Sequence, residues 1–320
     1  MKISVALCTY NGGRFLEAQL ESIAAQDRRP DELVVCDDCS SDETRAVVRR
    51  FAAKCGFEVR LETNERNVGS TRNFDRAVSL CRGDVIALSD QDDLWLPHKL
   101  SRLERVFSAD AELGFAFSDA YLIDDEGRRL PHGLWESIAF GWRMQQKIDD
   151  GRAVEVLVRR NVATGASMAF RTAYRDMLLP IPEKWVHDGW FALLIATMAR
   201  CRAIAEPLIE YRQHGGQQIG ARKENLYRQF FRGLRQKRKD FETISQNYAA
   251  AHGRLSMFRS RLRDESVLQL LEEKAEHFRA KAHMRDPRTW RLPIIIKELL
   301  HSRYARYSRG WRSMAQDLFL

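Results

Sequence analysis

Apolar residues recur along the first part of the chain in short runs, Ile3–Cys8, Leu33–Cys36, Val59–Leu61, Val85–Leu88 and Gly114–Phe117, with stretches of helical spacing near 15–25, 42–54, 71–81 and 98–107 between them. Such runs read as buried strands, and their alternation with helices is the rhythm of an α/β fold: a mostly parallel, Rossmann-like central sheet with helices on both faces. A polar loop follows three of the runs: Thr9-Tyr10-Asn11-Gly12-Gly13, Asp37-Asp38-Cys39-Ser40-Ser41-Asp42 and Asp90-Gln91-Asp92-Asp93. Ligands of open α/β sheets bind at the carboxyl ends of strands, so these loops are expected to line one crevice. Between 121 and 220 the pattern becomes mixed, with a strand expected at Gly165–Arg171 and Asp188 preceding an apolar helix over 190–199. From 221 to 320 the pattern is helical, broken at Asp286-Pro287, with an exposed apolar knot at Leu292–Ile296.

At 320 residues, 44% hydrophobic and 30% charged, the chain supports one large core plus an appendage, which excludes a disordered protein. No stretch reaches the ~20 apolar residues of a membrane span. Trp190–Ala199 ends at Arg200 and reads as a buried core helix. Met1–Leu7 runs straight into a strand pattern without a cleavage-type segment, so a cytoplasmic protein is expected. Six scattered cysteines fit reduced thiols. Cys36 and Cys39 have the spacing of a metal or redox pair, but no second pair completes a tetrahedral site and Asp37-Asp38 between them opposes thiolate formation. Charge is uneven: residues 221–320 carry net +12 and the rest net −4.

The densest chemistry lies in Ser89-Asp90-Gln91-Asp92-Asp93-Leu94-Trp95-Leu96-Pro97, where three carboxylates follow directly on a strand. Two like charges about 4 Å apart repel by ~1 kcal/mol in water and ~4 kcal/mol near a protein surface, so full ionisation there is easiest beside a divalent cation. Oxygen ligands suit Mg2+ or Mn2+, which keep one or two protein carboxylates and complete their shell with water and phosphate. The competing reading is an Asp-rich turn that caps the next helix. No glycine-rich phosphate loop of the GxGxxG or Walker type is present.

Cys8-Thr9-Tyr10-Asn11-Gly12, Val35–Thr44, Asn67-Val68-Gly69 and Asp90-Gln91-Asp92, taken in order, resemble the motif set of family 2 glycosyltransferases with the GT-A fold. The strings SDQDDLWLPHKL, GASMAFR, HDGWFALL and YRQHGG are most similar to bacterial rhamnosyltransferase-like enzymes of surface polysaccharide assembly. The resemblance implies a catalytic domain over 1–220, divided into a nucleotide-binding half (1–120) and an acceptor half (121–220), followed by a basic helical region over 221–320. It implies that Asp38 accepts a hydrogen bond from the donor's base, and that Thr9, Asn67, Gly69 and Asn73 line the nucleotide pocket. Asp92 is the implied metal ligand, Asp90 sits by the ribose and metal, and His214 ligates the metal or donates to a phosphate. Asp93 is expected to act through water or to cap the following helix, with Trp95 and Pro97 in packing and helix-start roles. Asp188 is implied as the general base, its alternative role being an N-cap, with His187 as second base or tuning neighbour. Tyr211–Gly216 resembles a loop that closes near the diphosphate.

The expected function is inverting, metal-dependent transfer of a sugar from a nucleoside-diphosphate sugar, dTDP-rhamnose first and a UDP-hexose next, to a glycan or lipid-linked saccharide acceptor. A nucleotidyltransferase using an NTP shares a nucleotide-binding sheet and Mg2+, though only Gly12-Gly13-Arg14 hints at triphosphate contacts. A non-catalytic membrane-associated scaffold need not retain Asp38, Asp90, Asp92 and Asp188 together. The tail combines Arg232, Arg235, Lys237, Arg238 and Lys239 with Trp290, Ile294–Ile296, Tyr304, Tyr307 and Trp311, a composition suited to the inner surface of the cytoplasmic membrane. A solvated face packed on the core, or a dimer contact, is the plainer reading. No nucleic-acid recognition motif accompanies the charge.

Overall fold

The computed structural model describes residues 1–215, 238–284 and 291–319. The chain divides into two compact units, Met1–Ala153 with Asn161–Arg222, and Val154–Arg160 with Lys223–Leu320.

The first unit is built on one sheet of nine strands: β1 (Ile3–Thr9), β2 (Glu32–Asp37), β3 (Glu58–Thr63), β4 (Val85–Ser89), β5 (Leu94–Trp95), β6 (Leu113–Ile123), β7 (Arg129–Gly133), β8 (Met168–Arg171) and β9 (Arg200–Arg212). Its helices are α1 (Leu16–Ala24), α2 (Thr44–Ala52), α3 (Ser70–Leu80), α4 (Lys99–Ala109), α5 (Leu134–Ser137) and α6 (Trp142–Asp149); α7 (Ala153–Leu157) starts at the boundary, and α8 (Arg175–Leu178) and α9 (His187–Ala196) follow. Every residue of β1, β2 and β4 is buried, as continuous apolar runs require.

Strand order is β3-β2-β1-β4-β8-β6-β9-β5, with β7 on β6. β1 pairs in parallel with β2 and β4, β2 with β3, and β6 with β9. β8 is antiparallel to both β4 and β6, while β5 and β7 are antiparallel to β9 and β6. Most strands therefore run one way, as expected, and β8, β5 and β7 run against them. A periodicity of apolar residues carries no direction, so β8 could be read as a strand but not as a reversed one. Its reversal has a functional consequence. The rim that collects the carboxyl ends of β1, β2, β4 and β9 also receives the amino end of β8 and the turn before it, Gly165–Ser167.

α9 is apolar all round and buried except at Asp188, as a core helix should be. It begins earlier than the apolar pattern suggests. Val186 occupies the N-cap and makes no side-chain cap bond, so Asp188 lies inside the first turn rather than capping it.

The second unit contains α10 (Arg238–Met257) and α11 (Ser266–Ala282), which pack on each other, and the short helices α12 (Leu292–Leu300), α13 (Arg303–Tyr307) and α14 (Trp311–Phe319) around Met284, Ile295 and Tyr304. Arg232, Arg235, Lys237, Asp286-Pro287 and Trp290 lie outside the described residues. No described helix is long and apolar enough to cross a membrane. All six cysteines are free; Cys36 is buried in β2, where burial pushes its thiol up to about 12, and Cys39 is exposed in the following loop.

Candidate active site

β4 ends at Ser89, so Asp90–Asp93 leaves the sheet at the shared rim. β9 ends beside it, and Oδ2 of Asp92 lies 2.8 Å from Nε2 of His214. Arg212 fixes this junction. Its backbone N–H donates to Oδ1 of Asp93 at 3.0 Å, its Nε–H donates to the carbonyl of Asp92 at 2.8 Å, and its guanidinium stacks 4.6 Å over Phe15. Asp93 is buried and its Oδ2 has no hydrogen-bond partner among the described residues; burial, then Asp92 and Asp90, hold its pKa well above the ordinary range. Asp93 does not cap the next helix, because α4 starts at Lys99 with His98 at its N-cap. Burial, then the charges of Asp92 and Asp188, push Asp90 up to about 7, with Lys99 opposing them. Lys99 is itself fully buried, donates to the Ala166 carbonyl at 2.8 Å and sits 3.6 Å over the Trp95 ring; desolvation drives its pKa well down.

Asp188 reaches this carboxylate group from α9. Its Oδ1 accepts from Asn161 Nδ2 at 3.0 Å and from the Gly189 N–H at 2.5 Å, and its Oδ2 accepts from the Gly165 N–H at 3.3 Å. Burial raises Asp188 to about 6, and those three donors, which favour the charged form, pull the other way. Glycine alone fits at 165 without a shift of its neighbour: a Cβ there would lie 2.7 Å from Nε2 of His187. His187 points into the core, stacked 3.9 Å from Phe74 with neither ring nitrogen hydrogen-bonded, and desolvation lowers it to about 3. Burial against Phe74 thus favours its neutral form.

On the β1 to β3 side, Asp38 is 2% exposed and already satisfied from within. Its Oδ1 accepts from Asn64 Nδ2 at 2.9 Å and the Val68 N–H at 2.8 Å, and its Oδ2 accepts from the Gly69 N–H at 2.8 Å. These donors make Asp38 an anchor of the 67–69 turn, with Oδ2 the less engaged of its two oxygens. Gly69 adopts φ 84° and ψ 158°, a region open essentially to glycine alone, while exposed Asn67 accepts from the Gly69 N–H at 3.1 Å. Thr9 and Asn73 are buried supports. Thr9 Oγ1 donates to Asp37 at 2.9 Å, and Asn73 bridges the Cys36 carbonyl at 2.7 Å and Asn64 at 3.0 Å. Gln91 clasps the backbone of Tyr10, accepting from its N–H at 2.8 Å and donating to its carbonyl at 3.1 Å, which ties the first and third loops together.

The rim thus gathers Asp90, Asp92, Asp93, His214 and Asp188, while Asp38, Thr9, Asn67, Gly69 and Asn73 form a hydrogen-bonded platform at β1 to β3. Sequence reasoning missed Asn64, Gln91, Lys99 and Asn161. Gln91 and Lys99 sit inside a string already singled out; Asn161 lies in an irregular stretch with no pattern to mark it. Gly216, in the expected closing loop, lies outside the described residues.

The donor set suits a hard divalent cation. Two ligands about 2.1 Å from an octahedral ion stand about 3 Å apart, and the Asp92 carboxylate and His214 imidazole stand 2.8 Å apart. Among the described residues no group of three or more His, Cys, Asp or Glu side chains forms a cage. A carboxylate and an imidazole leave most positions of such an ion to water and to oxygens of a bound phosphate.

Residues 4–176, more than half of the chain, match the family model described as glycosyl transferase family 2. An uncharacterized glycosyltransferase of Nostoc, alr2836, is 27% identical over 67% of this chain and 66% of its own length. The poly(ribitol-phosphate) β-N-acetylglucosaminyltransferase TarS of Staphylococcus aureus is 32% identical over 43% of this chain and 24% of its own length. The matched region thus spans less than two thirds of these curated relatives. In three dimensions the S. aureus TarS fragment 1–349, solved with UDP-GlcNAc, is similar at TM-score 0.58 with 19% identity, covering 99% of this chain and 90% of the fragment. The mannosyltransferase PcManGT of Pyrobaculum calidifontis, solved with GDP-Man and Mn2+, is similar at 0.54 with 20% identity, covering 99% and 85%. These likenesses show the GT-A fold with its C-terminal helices, and the match over 4–176 shows that the chain belongs to glycosyl transferase family 2.

Proposed function

We propose that the protein transfers a sugar from a nucleoside-diphosphate sugar to a hydroxyl of a glycan or lipid-linked saccharide, with inversion at the anomeric carbon. The observation that carries this reading is that Asp188, hydrogen-bonded to the Gly165 N–H in the turn before β8 at the shared rim, stands near enough to Asp90, about a hundred residues away in sequence, for its charge to raise the Asp90 pKa. Asp188 takes the proton of the acceptor hydroxyl at Oδ2, which among the described residues accepts from the Gly165 N–H alone, at 3.3 Å. The hydroxyl oxygen forms the new bond to C1 as the C1–O bond to the diphosphate breaks, and the bonding pair leaves with the nucleoside diphosphate. A sugar hydroxyl is a poor nucleophile, and a positioned base typically contributes ~10²–10⁴-fold. Asp92 and His214, with Asp90 beside them, would hold Mn2+ or Mg2+, which when bound supplies electrostatic compensation for the diphosphate.

The nucleotide would lie on the platform of Asp38, Asn67 and Gly69, with Thr9 and Asn73 supporting it from below. Donor class is supported by the relatives solved with UDP-GlcNAc and GDP-Man. The strings shared with rhamnosyltransferase-like enzymes favour dTDP-rhamnose over a UDP-hexose. We assign the catalytic domain to 1–220 and a peripheral position at the inner face of the cytoplasmic membrane to the whole. Asp188→Asn tests the reading: Mn2+-dependent thermal stabilisation by the donor is retained while transfer falls at least ~10²-fold. Undiminished transfer by this variant overturns it.

A further inference from the structure

α12 is amphipathic in the opposite sense from an ordinary surface helix. Leu292, Ile296, Leu299 and Leu300, at spacings of four, three and one along one face, are 43%, 53%, 52% and 78% exposed. The opposite face buries Ile295 together with an acid, Glu298, whose Oε2 lies 2.6 Å from Nδ1 of His277 on α11. The helix hides its carboxylate and displays its leucines. Such an arrangement needs something to cover it.

Charge identifies the cover. Residues 291–319 hold six Lys and Arg but only two acids, Glu298 and Asp317. Both acids are buried, the second bonded to Lys281 at 2.5 Å and to the Tyr304 hydroxyl at 2.7 Å. Arg303 and Arg306 pair with Glu276 and Glu273 of α11, at 3.0 and 3.3 Å, and the cation set beside the apolar face is Lys297, exposed on α12 itself. Trp311 is 70% exposed with the Arg312 guanidinium 5.6 Å from its ring, a pairing suited to a headgroup layer. A second copy of the chain, itself at net +8, would set like charges against each other. An anionic bilayer offers acyl chains to the leucines and phosphates to the cations in the same plane. The nine residues of α12 extend only about 13 Å at 1.5 Å per residue, enough to lie in the interface and too little to span it.

We propose that the face of α12 formed by Leu292, Ile296, Leu299 and Leu300, edged by Lys297, is an interfacial docking surface for anionic lipid. It deepens the peripheral position proposed above and rests on that part of the reading, not on the transfer chemistry.

The test is co-sedimentation of the full chain with vesicles of phosphatidylcholine alone or mixed with phosphatidylglycerol, at low and high salt. Binding to the mixed vesicles, weakened by salt and absent with phosphatidylcholine alone, is expected. Ile296→Gln with Leu300→Gln should cut it at least about tenfold, equivalent to about 1.4 kcal/mol, and Lys297→Glu about fivefold or more. Both variants should keep the parental melting temperature and donor-dependent stabilisation; if the double variant fails to fold, the single charge reversal and the salt series decide. Absence of binding, equal binding to neutral vesicles, or binding unchanged by either variant overturns the proposal. So does a concentration-dependent dimer, seen by light scattering, that the double substitution dissolves. Vesicle binding in a protein that no sugar nucleotide stabilises would overturn the transferase reading and leave this one standing.

Discussion

Nε2 of His214 stands 2.8 Å from Oδ2 of Asp92, so the second residue beyond β9 closes on the loop just after β4. If the two share a cation when donor is bound, the imidazole must be neutral and its nitrogen must exchange the carboxylate for metal. His214→Ala should then weaken Mn2+-dependent nucleotide binding by roughly 10–100-fold, the range seen when a metal loses a supporting group. Titration calorimetry with UDP or dTDP, with and without Mn2+, reads this directly. Unchanged affinity would reduce the pair to a tether between two loops.

Gly69 carries a second expectation. Its backbone lies where side chains are strained, yet none of the described residues stands within 4 Å of where a Cβ would go. Gly69→Ala should therefore cost about 1–3 kcal/mol from conformation alone, and by moving the N–H that Asp38 accepts it should raise KM for the donor. Denaturant unfolding and donor titration separate the two effects. Asp38→Asn should act in the same direction, since one of its two oxygens becomes an NH2 facing N–H donors. A fall in nucleotide affinity without loss of stability would instead indicate that Asp38 acts on the base more than on the turn.

The parallel half of the fold was legible because burial on both faces writes β1, β2 and β4 as unbroken apolar runs, and the rim followed from their polar sequels. Asp90 and Asp92 stood out as charges following such a run, whereas Asp188 was marked by the family resemblance and by its place before an apolar helix. Less could be read where meaning lies in direction or in distant partners. The reversal of β8, which carries Gly165 to the rim, leaves no periodic mark. Asn161 touches Asp188 only through the fold, and Asp38 looks like a free recognition group until its three donors from Asn64, Val68 and Gly69 are seen. In the tail, nothing in the sequence pattern pairs His277 with Glu298, which are buried against each other.

On the proposed function, Asp188 sets the acid limb of transfer. Burial raises it from 3.8 to about 6, and only the ionised form accepts a proton, so turnover should be full above that value and fall about tenfold per pH unit below it. Stability runs oppositely: the protonated carboxyl tolerates burial, so this group's contribution is complete below its ordinary value and lost as pH rises through about 6. A rate profile and a melting profile over the same range test both signs. A flat rate profile between pH 5 and 7, expressed as order-of-magnitude limits, would remove Asp188 as the base.

Asn161 provides the sharpest test of how that carboxyl is tuned. Its Nδ2–H donates to Oδ1 of Asp188 at 3.0 Å and so favours the charged base, while its own Oδ1 accepts from the Ala163 N–H at 3.1 Å and fixes the turn. Hydrogen bonds to a charged group contribute about 1.5–3 kcal/mol, and one pKa unit is about 1.4 kcal/mol. Asn161→Ala should accordingly move the acid limb upward by about one unit or more, with donor KM little changed. Asn161→Asp should move it further, because a second carboxylate disfavours the first. A residue that only holds the turn would lower kcat at every pH by the same factor and leave the limb near 6. The direction and order of the two shifts, wild type below Ala below Asp, therefore separate tuning of the base from scaffolding of the loop.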